Sequence, residues 1–258
     1  MFSYQVFQAA LPLLVIYFIV GCVAGSFVNV CIYRLPLGMS LVRPASACIR
    51  CGQPLGVLDM VPVLGWLILG GRCRYCRDGI SWRYPAVEFL CGLLFVICGL
   101  VLLPGIRLWL AFIFTACLLV HMGTDLEHQL LFDRVTTLLV PTGVIYSYYT
   151  YGDLWISLYG ASAAGTIMYA VYLASRGGMG FGDVKLVFAL GVWLGWQGAL
   201  CCLLLAFVSG GAVGAALVAS GFKKRRDRIA FGPFLCGTGY VTLLWGDGLL
   251  HWYLRFFS

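Results

Sequence analysis

From Met1 to Tyr33 the chain carries no Asp, Glu, Lys or Arg, and "LPLLVIYFIVGCVAGSFVNVCIY" fills most of that interval. A helix needs about 20 consecutive apolar residues to cross the hydrocarbon core of a bilayer. This run is too long for the apolar region of a cleavable signal and lacks the basic residues that precede one, so a retained first span is expected. The same pattern recurs along the chain. With 62% hydrophobic and 10% charged residues, against about 25% charged in an ordinary soluble domain, the sequence reads as an all-α, polytopic membrane protein with no room for a large soluble domain.

The apolar runs place about eight transmembrane helices, near residues 10–33, 85–104, 108–124, 135–151, 154–174, 184–197, 199–220 and 230–250, the sixth being the shortest. Alternation of these spans puts the 34–84 segment and the short loops near 125–134, 175–183 and 221–229 on one side. Fifteen of the seventeen Lys and Arg fall there: Arg34, Arg43, Arg50, Arg72, Arg74, Arg77, Arg83, Arg134, Arg176, Lys185, Lys223, Lys224, Arg225, Arg226 and Arg228. Arg107 and Arg255 are the two that do not. Basic residues are retained on the cytoplasmic side of a membrane, so both termini are expected outside and all four loops in the cytoplasm. The run "KKRRDR" then reads as an inner-leaflet contact rather than a nucleic-acid site. No internal repeat stands out, and the inverted repeat of a secondary transporter is not visible. The expected division is 1–33 as the first transmembrane helix, 34–84 as a cytoplasmic loop and 85–258 as the transmembrane core.

Eight of the twelve cysteines (Cys22, Cys31, Cys91, Cys98, Cys117, Cys201, Cys202 and Cys236) lie in apolar runs, where Cys behaves as a small hydrophobe. The other four are different. Cys48-x2-Cys51 and Cys73-x2-Cys76, separated by twenty-one residues, have the spacing of a four-thiolate zinc site. Disulfides are the rival, but a cytoplasmic loop keeps its thiols reduced. Four sulfurs leave zinc no open position, so the site is expected to be structural and to give a small loop the fold its few apolar residues could not. Around it stand Arg43, Arg50, Arg72, Arg74 and Arg77, as lipid anchors or as contacts for an anionic ligand.

Two carboxylates appear where apolar runs meet this same side. The third span ends in "HMGTDLEHQLLFDRVT", with Asp125 directly after the apolar stretch, and the sixth opens with "GMGFGDVKL", with Asp183 behind Gly178, Gly180 and Gly182. The topology gives Asp125 and Asp183 one depth. An ionisable residue at the membrane is usually functional, and two that face each other share one proton, one serving as base toward water and the other as acid toward a scissile carbonyl. The glycines would let a substrate backbone, or an adjacent helix, approach the carboxylate closely. The plain alternative is that each aspartate caps a helix; Asp133, before "RVTTLL", reads only as a cap. His121 and His128 lie one turn to either side of Asp125, and Asp59 and Glu88 are the remaining acids near the long loop.

Five ordered motifs now carry a likeness over nearly the full length: "GSFVNVCIYRLP" at 25–36 followed by the four-cysteine loop, "GRCRYCRDGISWRYPAVE" at 71–88, "TDLEHQLLFD" at 124–133, "GGMGFGDVKL" at 177–186 and "FGPFLCGTG" at 231–239. The chain resembles the bacterial type IV prepilin peptidases, bifunctional leader peptidases and N-methyltransferases of type IV pilus and type II secretion systems. The resemblance implies that Asp125 and Asp183 are the catalytic pair, the latter within the G-x-G-D motif of presenilin-type intramembrane aspartyl proteases. It implies cleavage of the basic leader of a prepilin or pseudopilin after a glycine, at the cytoplasmic face of the bacterial inner membrane. It also implies methylation of the new N-terminal residue, usually Phe, with S-adenosyl-L-methionine as donor, an activity associated with the large cytoplasmic loop. No glycine-rich nucleotide loop following a strand is visible, so no residue is assigned to the methyl donor. Ile49 and Phe132 stand where the family commonly has proline.

Basic repels basic, so the loop arginines are assigned to lipid or to the cofactor carboxylate and leader recognition to Asp59, Asp78 or Glu127. The expected partners are the prepilin substrate and the lipid bilayer, with no nucleic acid; a homodimer is left open. Two rivals make different demands. A proton- or metal-coupled transporter would set its acids near the bilayer midplane on paired broken helices. A non-catalytic assembly protein would use the zinc loop for docking and tolerate replacement of either aspartate.

Overall fold

A computed structural model of the chain describes residues 4–224 and 229–255; Arg225, Arg226 and Arg228 of the basic cluster lie outside the described residues. Eight α-helices follow in order: α1 (Tyr4–Arg34), α2 (Leu64–Ile68), α3 (Arg83–Val101), α4 (Ile106–His128), α5 (Asp133–Tyr151), α6 (Leu154–Ala174), α7 (Phe181–Ala219) and α8 (Gly232–Leu254), with one 3-10 turn at Leu58–Met60 before α2. Among the described residues there is no strand, only the isolated bridges Ala47 to Pro54 and Arg72 to Gly79. Five helices, α1 from Leu11 onward, α3, α4, α6 and α7, are long and apolar enough to cross a membrane.

The chain divides into two compact units, one made of residues 1–104 and 111–120, the other of 105–110 and 121–258, so α4 supplies residues to both. In the first, α1 packs along α3. Their backbones touch at glycine: a Cβ on Gly21 would lie 2.7 Å from the Gly92 Cα, and one on Gly25 2.7 Å from the Glu88 Cα. Small residues let membrane helices approach where no hydrophobic drive from water is available. Phe95 stacks on Phe112 with centroids 4.1 Å apart, and Tyr17 meets the same ring edge-on at 5.4 Å.

In the second unit α7 packs against α5, α6 and α8. From Leu186 to Trp193 its first half is apolar, and Leu186, Val187, Ala189, Leu190 and Trp193 are all buried against those neighbours. Gly191 and Gly160 bring α7 and α6 into backbone contact. The Trp193 indole donates to the Leu139 carbonyl of α5 at 2.7 Å, which satisfies its one polar group.

The 39-residue α7 is two helices in space. Asp183 at its start is in electrostatic range of Cys236 on α8, a Cβ on Gly198 would lie 3.5 Å from Thr242 Cγ2, Cys202 Sγ lies 3.4 Å from Thr238 Oγ1, and Gly210 backs onto Phe231. Up to Gly195 the two helices ascend together; beyond it α7 returns toward the start of α8. The reversal falls at Gly195, with φ 65° and ψ 178°, a conformation that strains any residue with a Cβ. The sequence places this break between 197 and 199, a few residues late. The halves 181–194 and 196–219 fall on the expected sixth and seventh apolar runs, and the end of α4 and the starts of α7 and α8 lie together at one end of this unit.

Candidate active site

Asp125 and Asp183 are brought together at that end. Both are buried, at 6% and 8% exposure, their carboxylates are within electrostatic range of each other, and the Cys236 thiol is in range of both. Each sits beside the start of a helix. Gly180 is the N-cap of α7 and Asp183 the third residue within it; the Asp183 carboxylate lies within reach of the Gly180 backbone amide, as in the reach-back half of a capping box. Asp125 lies in the last turn of its own helix, α4, where a carboxylate gains nothing from the dipole. It accepts the Gly232 N–H at 2.8 Å instead, and Gly232 is the first residue of α8, whose opening amides have no partner within that helix. The capping alternative is thus half right: both carboxylates engage helix N-termini, and those contacts hold them in place beside each other.

A Cβ on Gly180 would meet Asp183 Oδ2 at an ordinary 3.6 Å, and one on Gly182 would press on Leu131. The glycine that crowds a carboxylate is Gly232, where a Cβ would come within 2.7 Å of Asp125 Oδ2. Its role has one sequence signal, the Gly232-Pro233 pair opening an apolar run, since proline favours the first turn of a helix. Nothing in the sequence pairs it with Asp125, 107 residues away.

The cap reading of Asp133 is overturned. Phe132 occupies the N-cap with no side-chain bond, and both Asp133 carboxylate oxygens receive the Lys185 ammonium at 2.8 Å. A cation two residues beyond Asp183 is a nearer partner than an amide that Asp133's own geometry does not reach. His121 is wholly buried with Nε2 3.2 Å from the Thr136 hydroxyl; His128 is half-exposed, 3.9 Å from Glu127. A groove of about 910 Å³ runs between α5, α6 and α7, but it is lined on α7 by Phe181, Val184, Lys185 and Phe188, the face opposite Asp183, so it is separate from the carboxylate pair.

In the first unit the four loop cysteines converge. All are free thiols, with sulfurs within 4.8 Å of one another and Cys48 3.8 Å from Cys76. A tetrahedron with metal–sulfur bonds of about 2.3 Å has edges of about 3.8 Å, so the group fits a metal ion. The two knuckles are copies of one turn. Cys48 N–H donates to the Gln53 carbonyl at 2.9 Å and Cys73 N–H to that of Asp78 at 2.8 Å; Gly52 and Arg77, each four residues after the first cysteine, donate back to it. That position needs positive φ in both, 70° at Gly52 and 61° at Arg77. The amides of Cys51 and Arg50 hold the Cys48 thiol down to about 6. At Cys76 the Asp78 amide also favours the thiolate, yet desolvation and the sulfurs of Cys73, Cys51 and Cys48 push it up to about 12. Four sulfurs cannot all ionise without a cation among them.

The loop acids do not stand ready for a basic leader. Arg74 grips Asp59 through two nitrogens, at 2.7 and 2.9 Å, and Arg50 holds Asp78 at 3.0 Å. The arginines assigned to lipid or cofactor thus divide, two of the five being spent on the loop itself.

A helical membrane protein with two buried carboxylates set together at helix N-termini has the make-up of a membrane-embedded aspartic peptidase. The type IV leader peptidase family model matches residues 112–215, and the bacterial peptidase A24 N-terminal domain matches 19–102. A prepilin leader peptidase/N-methyltransferase of Aeromonas salmonicida (strain A449) is 36% identical over 271 residues, covering 92% of each chain. Proteins of the same name from Stutzerimonas stutzeri and Klebsiella pneumoniae are 33% identical over 92% of each chain, and 40% identical over 73% of this chain and 88% of the relative. No solved structure matches. The chain belongs to the type IV leader peptidase family and is an enzyme of the peptidase class.

Proposed function

We propose that this protein removes the basic leader from prepilins or pseudopilins at the cytoplasmic face of the bacterial inner membrane, using Asp125 and Asp183, and methylates the N-terminus it exposes. One observation carries the peptidase assignment: two buried carboxylates, 58 positions apart in the sequence, share one site at the end of the unit where the short loops gather. A water between them loses a proton to the ionised aspartate and attacks the carbonyl carbon of the glycine preceding the cleavage point. The protonated aspartate donates to the developing oxyanion, and as the carbon–nitrogen bond breaks a proton passes to the leaving amine. The Gly232 amide on Asp125 and the Gly180 amide on Asp183 fix both carboxylates without help from substrate.

About eight crossings, counting the halves of α7 separately, and the division into residues 1–33, 34–84 and 85–258 belong to this reading. The four sulfurs would hold zinc as a structural ion with no open position. S-adenosyl-L-methionine is the methyl donor that the relatives' name suggests, and a homodimer is compatible with the scheme. The transporter alternative is less well supported: the one broken helix turns at Gly195, remote from the carboxylates.

The test is intact-mass analysis of a prepilin incubated with membranes containing the protein and S-adenosyl-L-methionine, beside Asp125→Asn and Asp183→Asn. Loss of the leader with one added methyl, absent in both variants, is the expected result. Cleavage that persists in both variants would falsify the mechanism and return the aspartates to helix-end contacts.

A further inference from the structure

The twenty-one residues between the two knuckles contain a segment the metal site does not explain. The 3-10 turn at Leu58–Met60 and α2 fold back on each other, with Gly65 close against the Asp59 carbonyl, and the Trp66 indole ties α2 to the Ile80 carbonyl at 2.9 Å. This small hairpin leaves Val57, Leu58, Leu64, Leu67 and Ile68 exposed, Val57 at 80% and Ile68 at 79%. Contiguous exposed apolar side chains on so short a segment mark a contact surface.

Its depth identifies what it contacts. The Val63 N–H donates to Glu88 Oε2 at 2.7 Å, and Glu88 is the sixth residue of the membrane-crossing α3. Glu88 lies level with Gly25 of α1, where a Cβ would come within 2.7 Å of its Cα. Gly25 is nine residues, or about 13 Å of helix, inward from Arg34, the first charge on α1. The start of α2 is therefore held at a level where α1 is still charge-free. The loop as a whole carries seven arginines against two aspartates, both aspartates are already held by arginine, and Arg43, Arg72 and Arg77 are exposed with no ion pair among the described residues. Apolar insertion with unpaired basic residues is the make-up of an element lying in an anionic lipid surface.

We propose that residues 57–68 form a wedge inserted into the acyl region of the membrane leaflet on the loop's side, anchoring the four-cysteine site to the lipid surface. This rests on the reading of α1 and α3 as membrane spans. The wedge is the reason the knuckles are separated by an apolar stretch rather than a polar linker: each knuckle is one shore of a re-entrant segment, and Glu88 satisfies the Val63 amide at the start of α2.

Photocrosslinking of the full-length protein in nanodiscs of phosphatidylethanolamine and phosphatidylglycerol tests it. The photoreactive residue p-benzoylphenylalanine replaces one residue at a time: Ile68 in the wedge, Ile19 on the exposed face of α1 and Tyr75 on a knuckle, with lipid adducts read by mass spectrometry. These three side chains are already exposed, so folding is not put at risk. Lipid adduct at Ile68 matching Ile19 and several-fold above Tyr75 is the expected result. Ile68 labelling no better than Tyr75 while Ile19 labels well overturns the wedge and leaves the membrane reading intact. Failure at Ile19 as well overturns the membrane reading and the wedge with it. Adducts at Ile68 to an added prepilin in place of lipid also overturn it, making the segment a peptide-docking surface.

Discussion

The cysteine loop and the carboxylate site solve one problem, holding polar groups in a fixed geometry, by opposite means. In the loop two of the four clustered cysteines, Cys51 and Cys76, are exposed, and the chain between the knuckles has almost no buried core. Short turns and two arginine–aspartate pairs do the holding, and the four sulfurs are spaced so that a metal ion could join them. Around Asp125 and Asp183 there is no such local support. Their positions follow from where α4, α7 and α8 begin and end, and those ends are fixed by packing of buried helices. The loop is therefore local in sequence and arranged so that a ligand could complete it, while the carboxylate site is remote in sequence and built by helix packing.

The sharpest break of this comparison is Asp125→Asn or Asp183→Asn, expected to lower cleavage by about 10³-fold or more, since catalytic groups that act as a unit fail together. Metal content and the loop's amide exchange should be unchanged; a variant that also lost metal would show that the two regions are not independent. The reciprocal experiment strips the metal with a chelator or with Cys73→Ser. Structural zinc sites contribute about 10 kcal/mol or more of apparent binding energy, so amide exchange across residues 44–82 should rise to that of an unfolded segment, with exchange in α5 to α8 unaltered.

Gly232→Ala probes how far the carboxylate site depends on helix placement. The added methyl would lie 2.7 Å from Asp125 Oδ2, and displacing a reacting group by about 1 Å costs on the order of 10²-fold in rate. The expected signature is a fall in kcat with little change in helical content by circular dichroism. Lys185→Met removes the pair with Asp133, both groups being substantially exposed, so at about 0–1 kcal/mol its effect on thermal stability should be slight. Smallest of all, Arg77→Gly should stabilise the metal-bound loop by about 0.5–1 kcal/mol by relieving a positive φ. A loss of stability on that substitution would mean that the two knuckles are not equivalent turns.

Much of the second region was legible because its signals are one-dimensional. Charge-free runs mark helices, glycine and charge mark their ends, and basic residues sort the loops, which is why Asp125 and Asp183 could be placed at one level before any contact was known. Asp133 was misread for the same reason: a carboxylate before an apolar run looks like a cap, and the cation that claims it, Lys185, is 52 residues away. The break in α7 was expected a few residues late because the sequence there, "LGWQGA", offers two glycines and only backbone geometry selects Gly195.

By itself the sequence determined the helical membrane class, the four-sulfur set and the two candidate carboxylates, since hydropathy and ligand spacing act over one or two turns of chain. Tertiary structure alone decided that Gly232 holds Asp125, that α7 reverses at Gly195, that arginines occupy Asp59 and Asp78, and that Val63 is tied to Glu88. Those are contacts between segments distant in the chain, set by how backbones approach at glycine and by which free amide meets which carboxylate, and no local pattern of residue types encodes them.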